Sequence, residues 1–248
     1  MSFTPDEVDR YARHLVLKEI GGQGQQKLKD ASVLVVGAGG LGAPAALYLA
    51  AAGVGRIGLI DPDSVALSNL QRQVIYATGD VGRTKVAAAA EWLCALNDRT
   101  EVDVLDFALT ADNALELVRN YDLVMDGTDD FATRFVVNQA CVEAGRPLVA
   151  GAIGRWTGQV GVFTGQPCYR CLVPEMPPDA ETCSAVGVVG ALAGVIGSMM
   201  ALEAIKLIAE AGEPLTGRLL IYDGLVGVSR TVRVAADASC PVCSGGRT

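Results

Sequence analysis

The stretch SVLVVGAGGLGAPAALYLAAAGVGRIGLID, residues 32–61, decides the fold. It opens with an apolar run, Ser32 to Val36, which reads as a buried strand. The run ends in GAGGLG, Gly37 to Gly42. An alanine-rich helical segment follows, and then a second apolar run, Arg56 to Ile60, closed by Asp61. Strand, glycine turn, helix and strand in that order make a βαβ unit. Glycine permits the tight strand-to-helix turn and lets the main chain come close to a phosphate. The helix that follows then turns its free N–H groups and the positive end of its dipole toward the anion. Asp61, at the end of the second strand, is placed to accept hydrogen bonds from ribose hydroxyls.

Working outward, the pattern predicts a helix over about 5–18 and another with helical spacing over Val81 to Asn97. Buried strands are expected at Val102–Leu105, Leu123–Met125 and Leu148–Ala150, with a helix over Phe131–Ala144. After about residue 155 the pattern changes. Gln159–Thr164, Arg218–Tyr222 and Val228–Val234 alternate as antiparallel strands do. Gln166 to Ala185 reads as a mobile crossover loop. The expectation is an α/β, Rossmann-like doubly wound sheet, parallel in the N-terminal half and extended by antiparallel strands in the C-terminal half. It forms a single domain over 1–248. Residues up to about 155 make the nucleotide-binding half, and the rest makes the partner-binding and metal half.

Half of the 248 residues are apolar and 19% are charged, which marks a globular chain rather than a disordered one. The net charge of −8 argues against duplex nucleic acid as partner, because neutralising phosphates needs a basic footprint. The charged, amphipathic N-terminus lacks the apolar core of a signal peptide, so a cytoplasmic location is expected. Val186 to Leu202 carries no charge, but Glu203 and Lys206 follow it and glycines run through it. It reads as a buried helix rather than a membrane span.

The glycine turn and Asp61 on their own suit NAD, and an NAD-dependent oxidoreductase is one rival reading. Three further residues shift the balance toward a triphosphate. Arg72 in SNLQRQ and Lys85 in GRTK are cations, and ATP needs more of them than the pyrophosphate of NAD does. Asp129 in MDGTDD follows a strand, where a carboxylate is placed to hold magnesium. The only histidine, His14, lies in the N-terminal helix, so no Ser-His-Asp arrangement is available. Four of the seven cysteines form two Cys-x-x-Cys pairs, Cys168/Cys171 and Cys240/Cys243. Four thiolates suit a structural tetrahedral zinc, with two redox pairs or an iron–sulfur cluster as competitors. Cys94 and Cys141 read as core. Cys183 lies just before the buried helix, where a helix N-terminus favours the thiolate.

Together these motifs resemble the HesA/MoeB/ThiF family, the bacterial relatives of ubiquitin-activating enzymes. RYARHLVL (Arg10–Leu17), GAGGLG, the Asp61/Asp63 pair, SNLQRQ, VGRTK, GTDD, PCYRC and SCPVC follow in family order, nearly end to end. The resemblance implies an ATP-dependent adenylyltransferase. Its substrate would be the C-terminal Gly-Gly carboxylate of a small ubiquitin-like sulfur-carrier protein, of the molybdopterin or thiamine type.

By position, the resemblance implies that Gly40 with its neighbours Gly37, Gly39 and Gly42, and Asp61 beside Asp63, hold the nucleotide. Asn69, Arg72 and Lys85 would hold phosphates, Asp129 magnesium, and Ser68 and Asp130 would complete the binding set. Arg13 would reach the ATP of the partner subunit in a homodimer. The four paired cysteines would bind zinc, and Cys183 would match the loop cysteine that some members link covalently to the carrier. Family members often read Cys-Thr-Asp-Asn where this chain has Gly127-Thr128-Asp129-Asp130, which departs from the pattern near the base or ribose. With no sulfurtransferase (rhodanese-like) segment after SCPVC, a separate sulfur-donor protein is expected. The second rival is a non-catalytic module that binds a ubiquitin-like protein.

Overall fold

In a computed structural model, residues 3–176 and 187–245 are described. Eight strands form one sheet: β1 (Ser32–Val36), β2 (Arg56–Ile60), β3 (Glu101–Leu105), β4 (Leu123–Asp126), β5 (Leu148–Gly154), β6 (Thr157–Phe163), β7 (Arg218–Asp223) and β8 (Val228–Arg233). Their spatial order is β3-β2-β1-β4-β5-β6-β7-β8. The first five are parallel, with Val33 opposite both Ile57 and Leu123. From β5 onward each pair is antiparallel, so the second half continues the first half's sheet.

Alternation along β1 explains the layers. Val33 and Val35 face one side and Leu34 and Val36 the other, all at most 2% exposed. The first side is covered by α4 (Gly42–Ala52), α5 (Lys85–Leu96) and α9 (Gly190–Ala209). The second is covered by α6 (Ala114–Arg119) and α7 (Phe131–Ala144). α9 is long and apolar enough to cross a membrane, with a mean hydropathy of 1.7 over its most apolar stretch. In this fold it packs against β5, β6, α4 and α3 (Gly21–Asp30).

The helix expected over 5–18 is two short helices, α1 (Pro5–Arg10) and α2 (Ala12–Leu15). The break falls at Tyr11, whose backbone leaves helical geometry at φ −99°, ψ 13°. Its ring is driven to 4% exposure against Gly53, and its hydroxyl accepts from Asn97 Nδ2 at 2.9 Å. The helix expected from Val81 begins only at Lys85. Gly82, at φ +92°, and a bridge between Ser64 and Thr84 hold the preceding residues in a turn. The buried helix begins at Gly190 rather than Val186 and runs on to Ala209. Part of the segment read as a loop, Tyr169–Leu172, is a helical turn, α8. Residues 177–186, including Cys183, lie outside the described residues.

Candidate nucleotide site

At the carboxyl ends of β1 and β4 the crossovers depart to opposite sides, which opens a crevice where ligands settle in doubly wound sheets. A cavity of about 520 Å³ lies there. Gly37, Gly39, Gly40, Asp61, Asp63, Asn69, Arg72, Lys85, Asp129 and Asp130 all line it. Gly42, Ser68 and Arg13 do not. A Cβ on Gly42 would collide with the carbonyl oxygen of Gly37, so this glycine lets α4 close against the end of β1. Ser68 contributes its carbonyl, which accepts from Arg72 Nη1 at 3.2 Å. Arg13 is exposed on α2.

The glycine turn is fixed by its neighbours. Gly37 sits at φ +87°, a conformation costly for any residue with a Cβ. The Ala38 N–H donates to Asp61 Oδ2 at 2.8 Å, and the Ala38 carbonyl accepts from the Tyr76 hydroxyl at 2.7 Å. Asp61 also accepts from the Asp63 N–H at 2.9 Å. Burial pushes the Asp61 carboxyl above its usual range, and the Lys85 ammonium pulls the other way. Lys85 Nζ lies 2.7 Å from Asp63 Oδ2 and 3.6 Å from Asp61 Oδ1, with its side chain only 7% exposed. A lysine at the first position of a helix opposes the helix dipole, and burial adds desolvation. The Asp61 and Asp63 carboxylates offset both costs and hold the ammonium at the cavity wall. Arg72 lies beside Gly40, so three cationic or N–H-bearing groups converge on one end of the crevice.

Across the cavity, β4 ends in Asp126 and turns through Gly127–Asp130 into α7. Asp129 is exposed to the cavity. Asp130 caps α7, accepting from the Thr133 N–H at 2.8 Å. Gln73, Arg134 and Gln159 are among the lining residues to which the sequence alone assigns no role. Gln73 is 3% exposed and its Oε1 has no hydrogen-bond partner, which leaves a buried acceptor turned to the cavity region.

The four paired cysteines meet although about seventy residues separate the pairs. All four Sγ atoms lie within 4.8 Å of one another. Cys168 and Cys240 are 3.6 Å apart and Cys171 and Cys243 are 3.4 Å apart. A disulfide would bring sulfurs to about 2.05 Å, and a tetrahedral zinc with Zn–S of about 2.3 Å would set them about 3.8 Å apart. The spacing and the all-sulfur donor set fit zinc. Asn138 Nδ2 points at Cys168 Sγ at 3.6 Å and the Asp237 N–H at Cys171 Sγ at 3.5 Å, as supporting donors to thiolates do. Cys141 is buried, as expected for a core residue, whereas Cys94 is exposed.

Comparison with known proteins agrees with this geometry. The profile of the ThiF family matches residues 11–242. The chain is 49% identical over 252 residues to the sulfur carrier protein adenylyltransferase of Thermus thermophilus, covering 98% of this chain and 93% of that one. It is 49% identical over 244 residues to the adenylyltransferase and sulfurtransferase MOCS3 of Anopheles gambiae. That match covers 96% of this chain but only 55% of the longer relative. Among solved structures, E. coli MccB with ATP superposes with a TM-score of 0.81 at 25% identity, covering 95% of this chain and 74% of that one. The chain belongs to the ThiF family.

Proposed function

We propose that this chain is an ATP-dependent adenylyltransferase that activates the C-terminal Gly-Gly carboxylate of a small ubiquitin-like sulfur-carrier protein. The observation that carries the reading is the convergence of the glycine turn, Arg72, Lys85 and Asp129 on one cavity. Relatives named as adenylyltransferases, one of them for a sulfur carrier protein, and the MccB structure with ATP support it.

The chemistry suits the residues present. An α-carboxylate has a pKa of roughly 3.5 and is ionised at neutral pH, so its attack needs no general base. A carboxylate oxygen bonds to the α-phosphorus of ATP. The bond from that phosphorus to the bridging oxygen breaks, and pyrophosphate leaves with the electron pair. The obstacle is bringing one anion onto another. The N–H groups of the glycine turn, Arg72 and Lys85 neutralise and orient the phosphates, and Arg13 of a partner subunit in a homodimer adds a further cation. Magnesium held at Asp129 would screen the phosphate charge. Zinc at the four cysteines would tie the chain's last segment to the turn that carries Cys168 and Cys171. The carrier is of the molybdopterin or thiamine type. A separate protein donates the sulfur.

The direct test is mass spectrometry of candidate carriers incubated with the protein, ATP and magnesium. A carrier heavier by one AMP supports the reading. If no carrier gains AMP while the protein binds NAD in preference to ATP, the reading fails.

A further inference from the structure

Two buried charges, Asp126 behind the cavity wall and Arg134 within it, face each other at the base of the Gly127–Asp130 turn. Asp126, the last residue of β4, is 1% exposed, and Arg134 on α7 is 5% exposed. Both are spent on the same residue. Asp126 Oδ1 accepts from the Thr128 N–H at 3.0 Å and from the Thr128 hydroxyl at 2.7 Å. Arg134 Nη2 donates to the Thr128 carbonyl and, at 2.7 Å, to the carbonyl of Gly151 on β5. Arg134 Nη1 faces Asp126 Oδ2 at 3.9 Å, and that oxygen has no hydrogen bond of its own. The guanidinium also lies 5.9 Å from the centre of the Tyr169 ring.

A buried ion pair is an inefficient way to hold a core together. Apolar side chains of the same volume do as well or better. What the pair supplies here is direction. Thr128 is gripped by both its N–H and its carbonyl, from opposite charges anchored on β4 and α7. Two residues on, Asp130 is fixed as the cap of α7. Asp129 is the single residue between these two fixed points, and it lines the cavity.

We propose that the Asp126–Arg134 pair is the positioning device for Asp129: it fixes the Gly127–Asp130 turn so that the Asp129 carboxylate stands in the cavity facing the phosphate end. Asp126 and Arg134 act here as positioning residues, because Asp126 Oδ1 is committed to Thr128 and Arg134 Nη2 to Thr128 and Gly151. The inference rests on the proposed reading of the cavity as a nucleotide and magnesium site. Arg134 Nη2 alone donates to both carbonyls while Nη1 faces Asp126, so a lysine at 134, with its single nitrogen, cannot hold Thr128 and Gly151 and face Asp126 in the same geometry. An asparagine at 126 keeps the shape but removes the charge that faces Arg134.

The test is ATP binding by calorimetry, with and without magnesium, for the wild type, Arg134→Lys and Asp126→Asn, alongside zinc content and thermal midpoint. Losing one charge-assisted contact on the turn should raise the magnesium concentration for half-maximal enhancement of ATP binding about tenfold. ATP binding without magnesium should stay within about twofold of the wild type. A purely structural role would lower the thermal midpoint and leave the magnesium dependence alone. Folded variants with the wild-type magnesium dependence overturn the proposal. Should Arg134→Lys fail to fold, Asp126→Asn decides by the same criterion. If magnesium does not affect ATP binding even in the wild type, it is the magnesium-site reading that fails, and this inference with it.

Discussion

Replacing Lys85 with methionine separates what that residue does for the fold from what it does for a ligand. Its Nζ is 3.6 Å from Asp61 Oδ1, and both side chains are under a tenth exposed. At an effective dielectric of about 20, unit charges at that separation attract by about 5 kcal/mol. Removing Lys85 also removes its own burial cost, and Asp61 keeps the N–H donors of Ala38 and Asp63, so the net loss should be about 2–4 kcal/mol. For a chain of 248 residues that corresponds to a fall of roughly 4–8 °C in Tm.

The loss should depend on pH with a definite sign. Burial already raises the Asp61 carboxyl above 3.8, and Lys85 opposes the rise. A group whose folded-state pKa is raised contributes stability below its unfolded pKa and loses it as pH climbs through the folded value. Without Lys85 that folded value moves further up. The variant should therefore match the wild type near pH 4 and show the full deficit at pH 8. Urea unfolding at both pH values measures this, and Lys85→Met/Asp61→Asn should regain most of the deficit. An equal deficit at both pH values, or no recovery in the double variant, refutes the reasoning.

Three further outcomes are expected. Arg13→Ala and Asp129→Ala proteins should each lack ATP–pyrophosphate exchange, and mixing them should restore part of it, because a hybrid dimer holds one intact composite site. Hybrids that form without activity would count against Arg13 acting across an interface. Glu7, held at about 2 by its hydrogen bond from Lys29 and by the Thr4 N–H, lies below its unfolded value of 4.5. Its stabilisation is present above pH 4.5 and lost as pH falls toward 2. With Lys29 partly exposed, it amounts to about 1–2 kcal/mol. Glu7→Gln should remove it at pH 7 and change nothing near pH 2, as acid unfolding curves will show. Gly42→Ala, whose methyl would meet the Gly37 carbonyl, should cost about 1–3 kcal/mol in denaturant unfolding, whereas Gly22→Ala, with open space around it, should be neutral or stabilising.

The sequence carried the parallel half of the sheet because β1, the glycine turn, α4 and β2 are continuous apolar runs with unambiguous punctuation. It also carried the meeting of the four cysteines, since pairs of such spacing have few other uses. It missed α3, whose glycines and glutamines hide a helix that is stabilised by packing Gly24 against Ile20 and Ala209. It missed Gln73 and Arg134 because a polar residue in an amphipathic segment reads as solvent-facing, and only the tertiary fold turns these two inward. Asp130 read as a ligand group alone, whereas its carboxylate also caps α7. The break at Tyr11 was invisible for a similar reason. The pocket that takes its ring is built from Gly53 and Asn97, far along the chain.

The central claim is that the cations and Asp129 gather around a triphosphate lying on the glycine turn. A crystal structure with ATP and magnesium tests it most directly. Phosphate oxygens are expected within hydrogen-bond distance of the Gly39–Leu41 main chain, Arg72 and Lys85, with the metal on Asp129. Phosphates bound elsewhere, with Arg72 and Lys85 making no contact to them, would contradict it.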